Sequence, residues 1–287
     1  MASKLKSYLL HLRPLFFPII FLHMISGLFL GLLISGISVL NFGTIIFGAV
    51  LWVVFLNGGT MAINSYYDND KGDIGWLDNP PKVPKYLHIY AVLFLLIGLF
   101  GSAFVNYRFF SAYFVCFILS VLYSVPPFRW KEKAGFDVFV NFLGYGVLTT
   151  YAGYALLNIE LSLSMFLVLV VISFIWAAGY PLTQLYQDEE DKERNYKTFT
   201  CVLGKKNVFK YIFVIITFSA ITILFSAGYG YFRKTMLLFM FPLYVFGFLF
   251  LLNWYKNYKI MDEKKEMYKG SFLLALFDVC LVLGFLF

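Results

Sequence analysis

Residues 163–194 read LSMFLVLVVISFIWAAGYPLTQLYQDEEDKER, and the break inside this stretch decides the fold. From Leu163 to Gln187 there are 25 residues without a charge, and from Asp188 to Arg194 every residue is charged. A hydrocarbon core about 30 Å thick is crossed by about 20 apolar helical residues. The uncharged run is therefore a membrane-crossing helix, and the charged run marks the water it reaches. Lipid cannot hydrogen-bond the backbone, so a spanning segment must pair its own polar groups, as a helix or as one strand of a closed barrel. Barrel strands are about ten residues long and alternate in polarity, which this run does not.

Outward from this stretch the same punctuation repeats. Uninterrupted apolar runs predict nine spans, over 14–36, 43–67, 86–106, 110–124, 136–157, 163–187, 208–230, 235–255 and 270–287. The composition agrees: 61% hydrophobic and 14% charged, against about 45–50% and about 25% in soluble domains. The reading is an all-α integral membrane protein, a bundle of nine transmembrane helices forming a single domain over 1–287. Lys4, Lys6 and Arg13 precede the first run as in a signal peptide, but the run is too long and no small-residue cleavage site closes it. Cys116, Cys201 and Cys280 stand far apart, and His11, His23 and His88 form no zinc-protease pattern. Phosphate-loop and dinucleotide-binding patterns are missing too.

Orientation follows from the basic residues, which are retained on the cytoplasmic side. Twenty of the 23 Lys and Arg fall in the N-terminus and in every second loop; only Arg108, Arg233 and Lys234 lie on the other side. This predicts a cytoplasmic N-terminus. The net charge of +7 is explained by topology and by attraction to anionic lipid heads, without nucleic acid. No obligate protein partner is implied.

Nine of the sixteen acids crowd into two stretches, Asp68, Asp70, Asp73 and Asp78 in the second loop and Asp188, Glu189, Glu190, Asp191 and Glu193 in the sixth. Each stretch follows a span end directly, which puts carboxylates at the cytoplasmic mouth. Asn64 and Asp68 are four apart, as are Gln187 and Asp191, and Asp188 and Asp191 are three apart, so each group shares a helical face. Oxygen donors of this kind suit Mg²⁺, which keeps several waters and bridges one or two carboxylates to substrate phosphates. Arg129, Lys131, Arg194 and Lys197 stand close enough in sequence to meet a diphosphate.

These residues resemble the UbiA superfamily of intramembrane prenyltransferases. Asn64-Ser-Tyr-Tyr-Asp68-Asn-Asp70-Lys-Gly-Asp73 is similar to its first Asp-rich motif, and Gln187-Asp188-Glu-Glu-Asp191-Lys-Glu-Arg194, with Lys197-Thr198 and Leu203-Gly204, to its second. Arg13-Pro14 and Tyr123-Ser124-Val-Pro126-Pro127-Phe-Arg129-Trp-Lys131 match as well. The resemblance implies that an isoprenyl diphosphate, held through Mg²⁺, ionises to an allylic cation that a lipophilic acceptor captures. It implies Asp68, Asp191 and Lys131 as catalytic, with Asn64, Asp73 and Asp188 assisting Asp68 and Asp191 at the metal. Asn64, Tyr123, Arg129, Arg194 and Lys197 would contact the diphosphate. Three positions depart from the usual motifs: Ser65, Gly72 and Gln187 stand where aspartates are expected. The alternative reading is a non-catalytic prenyl-lipid binding protein or a small transporter with the same bundle.

Other residues are ambiguous. Aromatics at 21% could stabilise a carbocation or simply face lipid. Asp278 is an acid near the middle of a span, where charge is expensive, and is expected to be paired, neutral or in contact with substrate. Asn141 and Tyr145 could face an acceptor or join helices, and Tyr66 and Tyr67 read as interface anchors.

Overall fold

The computed structural model describes residues 2–37, 41–68, 74, 75, 77 and 79–287. Its helices, in chain order, are α1 (Ala2–His11), α2 (Phe17–Ser35), α3 (Phe42–Asp68), α4 (Leu87–Ser102), α5 (Tyr107–Ser124), α6 (136–155), α7 (Leu163–Leu185), the short α8 (Asp188–Glu193) and α9 (Phe199–Leu203), α10 (Lys205–Gly228), α11 (Met236–Asn257) and α12 (Glu263–Leu286). Among the described residues there is no β-strand, only isolated bridges joining Ile74 to Leu77 and Lys133 to Lys197.

Helix starts follow local chemistry. Asn106 accepts the amide hydrogens of Arg108 and Phe109 and opens α5; Ser162 accepts that of Met165 and opens α7; Asp262 accepts that of Lys265 and opens α12. The middle turns of α3 (Val50–Asn57) and α6 (Phe142–Thr149) widen to a π-helix.

Seven helices among the described residues are long and apolar enough by themselves to cross a membrane, against the nine expected. Helix also stands over the two remaining ranges, but α4 has only 16 residues, and α6 carries Asp137, Asn141, Thr149 and Thr150, all buried. The chain is a multi-pass integral membrane protein. Large side chains such as Phe100, Phe104, Leu238 and Phe241 are 70% exposed or more, as lipid-facing positions should be.

The chain divides into two compact units. The first comprises 1–28, 38–130 and 151–159. In it α3 packs along α4 over Leu12, Ala62, Ile63, Leu87 and Ala91, and Trp52 meets Phe109 and Tyr113 edge-on. Hydrophobicity does not distinguish a neighbouring helix from a lipid tail, so close approach through small residues holds such helices together. Gly153 is the extreme case: a Cβ there would lie 1.8 Å from the carbonyl oxygen of Met24.

The second unit comprises 29–37, 131–150 and 160–287. Here α7 packs against α10 and α6. The α6 contact requires Gly146, where a Cβ would lie 2.6 Å from the Cα of Ser173. Leu182, Leu185, Val208, Phe209 and Trp254 form a buried cluster shared by α7, α10 and α11.

Candidate active site

In the first unit, Asn64 and Asp68 lie on the last turns of α3, both half-buried. The Ser124 hydroxyl, at the end of α5, donates to Asn64 Oδ1 at 3.2 Å. Ser65 beside them is 1% exposed and accepts a 3.4 Å hydrogen bond from Arg13 Nη2. Arg13 is itself buried at 9%, in a left-handed conformation with φ 54°, and its Nε is buried without a hydrogen-bond partner. The structure thus joins two features that the sequence held 52 residues apart. Tyr123 stands on the last turn of α5, and Arg129, half-buried, follows in the loop with φ 41°. Asp70, Asp73 and Asp78 lie outside the described residues.

In the second unit, the second acid stretch is the one-and-a-half-turn α8, with Gln187 as its N-terminal residue outside the helix. Asp188 is 3% exposed. Its Oδ2 accepts a hydrogen bond from Lys192 Nζ at 2.6 Å, while its Oδ1 is buried without a partner. The same hydrogen bond raises the pKa of Lys192. Asp191 Oδ2 accepts the Thr198 hydroxyl at 3.4 Å. Arg194 donates to Glu190 and lies over the Tyr196 ring, so this predicted diphosphate contact is already engaged by an acid. Lys131 occupies a single 3₁₀ turn (Trp130–Glu132) and is 7% exposed. The amide of Lys197 donates to the carbonyl of Glu132 at 3.0 Å, which brings the Lys131 turn and the segment following α8 together. The Lys197 side chain is exposed.

Two residues that the sequence reading passed over, Asp137 and Gln184, are buried in this unit at 0% and 4% exposure. The only signal for Asp137 was an acid in the first turn of an apolar helix. Asn141 donates to the Asp137 carbonyl one turn back, and Tyr145 stacks on Trp176. Asp278 is 4% exposed on α12.

No three carboxylate, imidazole or thiol groups converge into a metal cage among the described residues. Mg²⁺ does not need such a cage, since it takes one or two carboxylates and completes its shell with phosphate oxygens and water. The donors present are oxygens throughout, and Asp188 offers a buried carboxylate oxygen with no competing hydrogen bond, so the residues fit this ion.

The fold and these acid-bearing helix ends define a multi-pass membrane protein with oxygen-rich side chains at two of its helix ends. The UbiA prenyltransferase family model matches residues 24–276, and the chain belongs to that family. Among solved structures, a UbiA homologue from Archaeoglobus fulgidus superposes with a TM-score of 0.74 at 22% identity, covering 96% of this chain and 97% of that one. The same homologue bound to DMAPP and Mg²⁺ gives 0.68 at 20%, covering 96% and 99%. A structure of digeranylgeranylglyceryl phosphate synthase gives 0.69 at 14%, covering 99% of both. No functionally curated protein matches the chain.

Proposed function

We propose that this protein transfers a prenyl group from an isoprenyl diphosphate to a lipophilic acceptor inside the membrane, using Mg²⁺ and acting as a single domain over 1–287. Family membership supports prenyl transfer, and the Archaeoglobus homologue binds DMAPP or GPP together with Mg²⁺. The observation that carries the reading is the junction in the second unit. Lys131, the one buried lysine among the described residues, sits on a turn whose Glu132 carbonyl accepts the Lys197 amide, next in sequence to the helix of Asp188 and Asp191.

In the reaction the allylic C–O bond breaks and its electron pair leaves with the diphosphate oxygen. The acceptor's nucleophilic atom then bonds the allylic carbon and gives up a proton. Lys131, with Arg129, Lys197, Tyr123 and Asn64, presents donors to the charge growing on the leaving group, a contribution that is largest when the donors are fixed beforehand. Arg194 joins them by exchanging Glu190 for a phosphate oxygen. Asp68 and Asp191, with Asn64, Asp73 and Asp188, would hold magnesium, which when bound neutralises the diphosphate and makes it a better leaving group. The apolar bundle keeps water from the cation. Active-site mouth and N-terminus are cytoplasmic in this reading, and membrane lipids surround the rest.

The purified protein, given geranyl, farnesyl or geranylgeranyl diphosphate, Mg²⁺ and a membrane lipid extract, should release diphosphate and form a prenylated lipid detectable by mass spectrometry. Release no greater than in the EDTA control, for all three donors, overturns the proposal.

A further inference from the structure

Residues 194–198 form no regular element between α8 and α9, yet two proposed site groups, Arg194 and Lys197, stand on them, and Thr198 contacts a third, Asp191. Four backbone hydrogen bonds are donated from this segment: Arg194 N–H to the Glu190 carbonyl at 3.1 Å, Asn195 N–H to the Lys192 carbonyl at 3.0 Å, Tyr196 N–H to the Asp191 carbonyl at 2.9 Å and Lys197 N–H to the Glu132 carbonyl at 3.0 Å; only the last reaches beyond α8 and the turn that follows it. A further restraint from outside the segment is a side chain. Asp137, in the first turn of α6, accepts the Phe199 N–H at 2.6 Å on Oδ2. The same oxygen accepts Gln184 Nε2, from the last turn of α7, at 2.8 Å, and Oδ1 accepts the Val138 N–H at 2.8 Å. Gln184 Oε1 in turn accepts the Thr200 hydroxyl at 3.1 Å and its N–H at 3.3 Å.

Asp137 has no exposed surface, and no Lys or Arg forms an ion pair with it among the described residues. A buried carboxyl group with only neutral donors around it is costly unless its hydrogen bonds are numerous and short, and Asp137 receives three. The arrangement ties α6, α7 and α9 at one point, four residues beyond Lys133, which forms the bridge to Lys197. Thr198 stands just before α9, and its hydroxyl both caps that helix by accepting the Cys201 amide hydrogen and donates to Asp191.

We propose that Asp137 is a positioning residue: by holding the Phe199 amide it fixes the 194–199 segment, and with it Lys197 and the Thr198 hydroxyl on Asp191, in the arrangement that prenyl diphosphate binding requires. This rests on the function proposed above for Lys197 and Asp191. Asp137 itself touches no reacting atom, so its loss shows in binding of the diphosphate donor and of magnesium, not in binding of the acceptor.

Three substitutions separate this role from simple packing. Asp137→Ala removes the restraint, whereas Asp137→Asn keeps one oxygen able to accept both the Phe199 amide and Gln184. Phe199→Pro deletes the amide hydrogen without touching Asp137. Proline is tolerated at a first helical position, and Thr198 at φ −64° and ψ 163° already has the extended conformation that a following proline demands. Phe199→Ala is its control, losing the same ring, which packs on Tyr211, but keeping the N–H.

Deuterium exchange of the 196–203 peptides should rise in Asp137→Ala and Phe199→Pro and stay near wild type in Asp137→Asn and Phe199→Ala. The KM for geranyl diphosphate and the Mg²⁺ concentration for half-activity should rise about tenfold or more in the first pair and less than about threefold in the second. The acceptor KM should stay unchanged in all four. Unaltered exchange in both Asp137→Ala and Phe199→Pro overturns the inference, and so does lost protection with both constants unmoved. Phe199→Pro matching Phe199→Ala overturns it even if Asp137→Ala fails to fold. If the wild-type protein transfers no prenyl group, the functional reading has failed by itself, and exchange together with Mg²⁺-dependent binding of inorganic diphosphate then decides on Asp137 by the same criteria.

Discussion

Asp188→Asn separates the contribution of this residue to stability from its contribution to chemistry. The carboxylate is paired with Lys192 at 2.6 Å, but the Lys192 side chain is 55% exposed while that of Asp188 is 4% exposed. A pair with one partner in water is screened, and such pairs contribute about 0–1 kcal/mol. Asparagine also retains an oxygen for the ammonium. The fold should therefore lose about 1 kcal/mol or less, a fall in Tm of about 2–4 °C for a chain of this size. Activity is another matter, because the oxygen without a hydrogen bond, Asp188 Oδ1, is the one free to meet a cation. Losing the charge there should lower kcat/KM about 100-fold, or about 2.7 kcal/mol of transition-state stabilisation. Gln187 lies outside α8 and is half-exposed, so Gln187→Ala should cost about tenfold or less. Gln187→Asp should gain little, since a further carboxylate beside Asp188 and Asp191 raises its neighbours' pKa by like-charge repulsion. Thermal unfolding in detergent and diphosphate release measured on the same preparations give both numbers. An active Asp188→Asn alongside a markedly more active Gln187→Asp would refute the assignment and make position 187 the ligand position, weakened here to an amide.

Asp68→Asn and Asp191→Asn should each abolish diphosphate release while leaving the unfolding temperature within a few degrees of wild type, because half-buried acids at helix ends contribute little to packing; full turnover in either would remove that residue from the metal set. Single cysteines introduced at Gly75, Glu132, Asn195 and Asp262, in a chain whose own three cysteines are replaced by serine, should resist a membrane-impermeant thiol reagent in intact cells, and one at Ile159 should react. Labelling at Gly75 or Asn195 from outside would invert the proposed orientation. Gly153→Ala should destabilise the first unit by about 3 kcal/mol or more, because the new Cβ meets the Met24 backbone, which cannot move aside like the end of a side chain; a Tm equal to wild type would show that the helices part there at little cost.

How far the sequence reveals this molecule depends on what hydropathy can see. The stretch 163–187 was legible because lipid leaves a helix no alternative, and α7 indeed runs from Leu163 to Leu185. The last helix was expected from 270 but begins at Glu263, since its first two turns carry charge, are capped by Asp262, and read as loop by polarity alone. The site divides in the same way. Acids crowded at a span end are visible as composition, and the basic residues near them as motif. Asp137 was not visible, because a single acid at the foot of an apolar helix has the same appearance whether it solvates a loop or accepts an amide 62 residues away. What distinguishes the two cases is tertiary pairing, and one-dimensional spacing contains none of it.

The departure at Ser65 reads differently once Arg13 is beside it. Taken along the chain, a serine in place of an aspartate looks like a missing metal ligand. In the structure the Ser65 hydroxyl is 1% exposed and takes a hydrogen bond from the buried Arg13 guanidinium. A carboxylate at that position would pair with Arg13, and two unit charges about 4 Å apart attract by about 1–4 kcal/mol between bulk water and a protein surface. With serine the contact is one long hydrogen bond to a neutral group, and the guanidinium keeps its charge uncompensated by this neighbour. The substitution therefore alters the charge balance at the foot of α3 more than it alters the count of oxygen donors. A serine beside a buried arginine leaves one negative charge fewer next to Asn64 and Asp68 and a guanidinium that this neighbour does not neutralise.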